Sequence, residues 1–89
     1  DHLYAREERD GIVYQEVPQP SLARYDTPDP AAGYGYVGSV GSNIFPSSGH
    51  LRVTVSQASV QVDYVRSVAP GDETAVRRNG TVVHSYTIQ

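Results

Sequence analysis

Apolar and polar residues alternate with a period of two along much of this chain. Leu51, Val53 and Val55 alternate with Arg52, Thr54 and Ser56, and beyond Gln57-Ala58-Ser59 the run Val60, Val62 and Tyr64 alternates with Gln61 and Asp63. Successive side chains of a strand point to opposite faces, so this spacing predicts a hairpin that buries Leu51, Val53, Val55, Val62 and Tyr64 and leaves its other face wet. A second hairpin is expected where residues 3–7 and 12–17 flank Glu8-Arg9-Asp10-Gly11, because Asp-Gly between apolar runs suits a tight turn between twisted strands. A last strand over residues 81–88 follows Asn79-Gly80, with Val82, His84, Tyr86 and Ile88 on one side and Val83, Ser85 and Thr87 on the other. No window sets apolar residues at three-and-four spacing behind a capping residue, so no helix is expected.

Between the hairpins, residues 18–49 carry five of the six prolines and five of the eight glycines with only scattered apolar positions. Loops longer than ~12–15 residues are uncommon inside compact domains unless they serve a function or stay disordered. A segment of this length needs a surface to lie on. The chain has 89 residues, and one that small buries only ~60–65% of its unfolded surface. The reading is therefore an all-β segment of about five antiparallel strands in hairpins (1–17 hairpin, 18–50 long loop, 51–89 strands), part of a β-sandwich and not a complete autonomous domain. The start at Asp1, without an initiator Met, fits a piece processed or cut from something longer. Thirteen valines and seven tyrosines dominate the apolar positions, which is the vocabulary of strands.

Seven Arg, no Lys and ten acidic residues give a net charge of -3 with no block of one sign, which argues against a nucleic-acid surface. Apolar runs of two or three residues are far short of the ~20 needed for a membrane helix, so no membrane partner is expected. With no cysteine, disulfides and thiolate metal sites are excluded. The lack of cysteine and lysine is compatible with an exported, periplasmic or extracellular, protein.

Gly33-Tyr34-Gly35-Tyr36-Val37-Gly38 matches a dinucleotide fingerprint by letters, but that chemistry needs a strand before it and a helix after it. Neither flank qualifies, and the stretch reads as a Gly/Tyr loop. Asn79-Gly80-Thr81 is a glycosylation acceptor sequence, yet Asn-Gly also favours a tight turn, the preferred reading. His84 falls on the apolar side of the last strand, where a hydrogen-bonded, partly buried imidazole is the ordinary explanation, and His50 reads as a loop residue. These histidines with the many Ser and Asp suggest a nucleophile triad only on paper, since a triad is recognised by geometry.

The opening Asp1-His2-Leu3-Tyr4-Ala5, followed by Asp10-Gly11-Ile12-Val13-Tyr14-Gln15-Glu16-Val17-Pro18-Gln19-Pro20-Ser21, resembles the end of a calcineurin-like metallophosphoesterase just after its last metal-binding motif. In that family a Gly-His-x-His stretch supplies two histidines to a dinuclear centre, and Asp1-His2 corresponds to its final two positions. Gly33-Tyr34-Gly35-Tyr36, the stretch Ser48-Gly49-His50-Leu51-Arg52-Val53-Thr54-Val55, then Val62-Asp63-Tyr64-Val65-Arg66 and Val83-His84-Ser85-Tyr86-Thr87-Ile88 extend the resemblance over nearly the whole chain.

What the resemblance implies is phosphoester hydrolysis by two bridged metal ions, Fe, Mn or Zn, with His2 as one ligand. Pro18-Gln19-Pro20 and the segment 25–36 would border the substrate side. The family's aspartates, asparagine and further histidines lie upstream of this sequence, so the isolated chain is expected to hold no metal and to be inactive, with His2 a solvated terminal residue. Its partners would be the remainder of the parent domain or copies of itself. The alternative is a processed, noncatalytic structural protein that self-assembles through strand edges.

Overall fold

A computed structural model describes residues 3–20 and 42–89, and the statements below concern those residues. The fold is all-β, with six antiparallel strands and no α-helix: β1 (Leu3–Arg9), β2 (Ile12–Glu16), β3 (Ile44–Pro46), β4 (Gly49–Val55), β5 (Val60–Arg66) and β6 (Val82–Ile88). They form two three-stranded sheets, ordered β2-β1-β3 and β4-β5-β6. The first is sheet A and the second sheet B.

Both expected hairpins form. β1 and β2 pair from Ala5↔Glu16 to Arg9↔Ile12, two residues further along β1 than the apolar pattern suggested. The turn is the pair Asp10-Gly11, at φ 53° and 77°, the doubly left-handed turn whose twist matches its strands. In sheet B, Leu51↔Tyr64, Val53↔Val62 and Val55↔Val60 face one another. The connection is closed by Ser56, whose N–H donates to the Ser59 carbonyl at 2.9 Å and whose hydroxyl accepts from the Ser59 N–H at 3.2 Å.

Four expectations are corrected. First, β3 lies inside the segment 18–50 read as loop, and pairs with β1 through Leu3↔Pro46, Tyr4↔Phe45 and Ala5↔Ile44; three residues ending in proline are too few for a periodic signal. Second, Val53 and Val55 are 54% and 72% exposed. They share a face with Val62 and Tyr64, but only Val62 and Tyr64 are buried. Third, the second face is not wet throughout, since Asp63 is buried. Fourth, a bulge at Tyr64/Val65 sets Val82 opposite Val65 while His84 stays opposite Tyr64, so Val82 leaves the row of His84, Tyr86 and Ile88.

The chain passes from sheet A to sheet B in two buried residues, Ser47 and Ser48. The Tyr64 hydroxyl fixes this crossing by donating to the Pro46 carbonyl at 2.7 Å, and the Ser67 N–H donates to the Ser48 carbonyl at 3.0 Å. Alternation along β1 sends Tyr4 and Arg6 to one face and Leu3 and Ala5 to the other. Tyr4 turns toward sheet B and stacks on Tyr64, whereas Leu3, Ala5 and Ile44 form a buried apolar cluster on the far side. Sheet A is thus buried on both faces around Tyr4.

Candidate functional site

Among the described residues, titratable side chains collect in three places, the seam between the sheets, the outer face of β5 and a groove along β1. At the seam, Tyr4 and Phe45 are register partners in sheet A, and Tyr64 and His84 are register partners in sheet B. The Tyr4 and Tyr64 rings stack with centroids 4.4 Å apart and planes 20° from parallel. His84 meets the edge of Tyr4 at a centroid distance of 5.5 Å and lies 5.1 Å from Phe45. Its Nδ1 is 2.8 Å from the Tyr4 hydroxyl; with the phenol donating, the imidazole carries its proton on Nε2.

One register step along, the Arg6 guanidinium carbon sits 4.4 Å from the centre of the Tyr86 ring, a cation–π contact. The Tyr86 hydroxyl donates to Gln15 Oε1 at 2.9 Å, and Gln15 Nε2 donates to the Ala5 and Glu16 carbonyls at 3.1 and 2.8 Å. A continuous line of contacts therefore ties β6 to β2 and β1. Arg6 also pairs with Glu8 at 3.3 Å, while its Nε is buried with no acceptor among the described residues.

Burial sets the protonation of this seam. It holds the His84 imidazole below its ordinary pKa, and the nearby Arg6 charge pushes the same way. Burial lifts the Tyr64 phenol to about 12 and Tyr4 further, with Tyr86 adding to the effect on Tyr4. At neutral pH the imidazole and phenols are uncharged, and the charge of Arg6 is met by Glu8 and an aromatic face. His84 is thus the hydrogen-bonded, partly buried imidazole that its strand position suggested. No carboxylate joins it among the described contacts, so the seam has the character of a packed joint between sheets, not of an acid–base pair.

On the outer face of β5, Asp63 is 2% exposed and its carboxylate collects four donors. Arg52 donates through Nε and Nη2 to Oδ2 at 3.1 and 3.0 Å, Gln61 to Oδ1 at 3.0 Å and the Ser85 hydroxyl to Oδ1 at 2.5 Å. The Gln61 and Ser85 hydrogen bonds, with Arg52 adding to them, lower its pKa to about 2. This network crosses β4, β5 and β6 and locks their register. No periodic pattern signals it, because the alternation marks these positions only as polar.

His2 and the segment 25–36, with the Gly33 to Gly38 motif, lie outside the described residues. Pro18 is buried and Gln19 exposed. His50 is not in a loop but in β4, exposed, with Nδ1 3.4 Å from the Ser67 hydroxyl. Asp63 is taken up by Arg52, Gln61 and Ser85, and His84 lies across the sheet from it. The described histidines, serines and Asp63 therefore do not form a nucleophile triad. Asn79-Gly80 is a turn: Gly80 has φ 82°, the Thr81 N–H donates to the Arg78 carbonyl at 3.3 Å, and Asn79 Oδ1 accepts from the Val68 N–H at 3.0 Å. An open groove along β1 is lined by Arg6, Glu7, Glu8, Arg9 and Asn43, and its charges are met within it, Arg9 by Glu7 at 2.6 Å and Arg6 by Glu8. Among the described residues no three His, Asp or Glu side chains are grouped to hold a metal, and no helix is long and apolar enough to cross a membrane.

Searches against protein-family models, curated proteins and solved structures find no match to this chain.

Proposed function

We propose that this chain forms the strand-rich C-terminal part of a dinuclear-metal phosphoesterase, inactive by itself, with His2 as one imidazole ligand. The observation that carries the reading is the sequence position of His2 relative to the fold. It directly precedes Leu3, the first residue of β1, which is the central strand of sheet A. That strand is held on one side by the Leu3, Ala5 and Ile44 cluster and on the other by Tyr4 stacked on Tyr64. The strand that follows His2 in sequence is thus firmly held, which is what a metal site needs of its supporting frame.

Among the described residues, the stretches that carry the family resemblance supply β1, β2, β4, β5 and β6, so those stretches act as frame and not as reacting groups. The donor chemistry available here does not complete a dinuclear centre: the described residues bring no three ligands together, and one imidazole does not hold two metals. The remaining ligands, and the contacts to the phosphoester, belong to the rest of the parent domain. Bridged metals would there polarise the phosphoryl oxygens and lower the pKa of a bridging water.

The test has two arms. In the parent enzyme, His2→Ala is expected to lower metal occupancy and rate together. Residues 1–89 alone are expected to retain no stoichiometric Fe, Mn or Zn in elemental analysis and to leave an aryl phosphate intact. An unchanged rate in the parent variant removes His2 from the site, and tight binding of two metals by the chain alone overturns the proposal.

A further inference from the structure

We infer that β6 is a strand-pairing edge through which two copies of this chain associate antiparallel, joining their β4-β5-β6 sheets into one continuous sheet. The inference stands on the geometry of sheet B and is independent of the phosphoesterase reading.

The two sheets present four edge strands, β2 and β3 in sheet A and β4 and β6 in sheet B. Edge strands carry unpaired N–H and C=O groups, and proteins guard them by shortness, proline or charge. β2 has five residues, includes Glu16 and runs on into Pro18. β3 has three and ends at Pro46. β4 carries Arg52 in its middle. β6 has seven residues, Val-Val-His-Ser-Tyr-Thr-Ile, with no proline, no glycine and no acidic, Lys or Arg side chain. Ser85, Thr87 and Ile88 are exposed along it, and its residues 84–88 are regular beyond the bulge. Among the described edges, the 84–88 stretch of β6 is the longest with neither proline nor charge, and it lies clear of the bulge.

The register of β6 against itself identifies the occupant as a second copy. In an antiparallel pair centred on Tyr86, His84 of one copy faces Ile88 of the other, Ser85 faces Thr87, and Tyr86 faces Tyr86. Aromatic and hydroxyl pairs are favourable cross-strand neighbours, and no like charges oppose each other across the boundary. The same register bears on the exposed Val55. Within one copy, the row Leu51–Tyr64–His84 meets Tyr4 of sheet A at Tyr64 and His84, whereas Val55–Val60–Ile88 form a row that is open at Val55 and Ile88. Pairing His84 with the other copy's Ile88 makes the covered row of each molecule collinear with the open row of its partner. Sheet A of each copy then borders the uncovered apolar row of the other, and the twofold axis repeats the contact. A strand from an unrelated protein offers an edge but not this matching row.

A five-residue edge contact is small beside standard interfaces, so the association is concentration-dependent. Sedimentation velocity of the full chain across a concentration series is expected to show a monomer shifting to a dimer. Thr87→Lys, an exposed change on the β6 edge, is expected to weaken dimerisation by about tenfold or more, while Thr54→Lys on the β4 edge leaves it unchanged. Hydrogen exchange of the unmodified chain gives a readout that does not depend on either variant folding: amides of residues 84–88 are expected to gain protection as concentration rises, and those of β4 are not. A monomer at every concentration, a dimer lost in Thr54→Lys, growth beyond a dimer, or protection confined to β4 each overturns the inference.

Discussion

Gly49 lies directly beneath the ring of Tyr64. A Cβ built on Gly49 would run into that ring and stand 2.6 Å from the Val65 carbonyl oxygen. The ring cannot withdraw, because Tyr4 stacks on it and its hydroxyl is bonded to the Pro46 carbonyl. Gly49 is therefore required by close approach. Gly49→Ala is expected to overpack the seam and to cost ~1–3 kcal/mol or more, measured as a fall in the urea unfolding midpoint. A midpoint equal to that of the unsubstituted chain would show that β4 shifts freely against β5.

The two valines of one cross-strand pair are expected to respond in opposite ways. Val53 is largely exposed and Val62 is buried, although they face each other in register. Val53→Asp is expected to cost no more than about 1 kcal/mol, largely through poor strand propensity. Val62→Asp buries an unpaired carboxylate and is expected to cost several-fold more, ~3–5 kcal/mol. Equal losses by denaturant titration would mean that Val53 is covered in solution. Because association through β6 adds to the stability of sheet B, the comparison belongs at the lowest workable concentration.

Stability is expected to fall at both ends of the pH scale. His84 has a folded pKa below its ordinary value, so the unfolded chain binds the proton first, and stability present above pH ~6.5 declines as pH falls below it. Asp63 adds a second acid step: its folded pKa is about 2 against 3.8, so its contribution is complete above the higher value and is lost as pH falls toward the lower. The phenols act with the opposite sign. Tyr64 is raised from 10.0 to about 12, and Tyr4 and Tyr86 are also raised, so their contribution is full below pH 10 and is lost as pH rises through the folded values. Thermal unfolding monitored across pH checks all three steps. In His84→Gln the step below pH ~6.5 is expected to vanish while the lower acid step persists.

Five of the six strands were legible because alternation is a local property, readable within seven residues, and the Asp10-Gly11 turn was legible because its backbone conformation narrows the choice of residues. β3 was not, since Ile44-Phe45-Pro46 is too short to show a period and becomes a strand only by pairing with β1. The candidate joint was half legible. The position of His84 on an apolar strand face implied a satisfied imidazole, but its partner Tyr4 lies at the other end of the chain and no spacing rule reaches it.

What the sequence by itself determined was which residues of a regular stretch share a face, because the pleat repeats every two residues until a bulge interrupts it, as it does before His84. Which part of a face is buried was decided by the tertiary structure alone. Sheet A covers the row at Tyr64 and stops short of Val53 and Val55, while Arg52, Gln61 and Ser85 close over Asp63 on the side that alternation marked as wet. Alternation assigns direction to a side chain, whereas burial depends on what stands opposite it, and that is set by the packing of segments far apart in the chain.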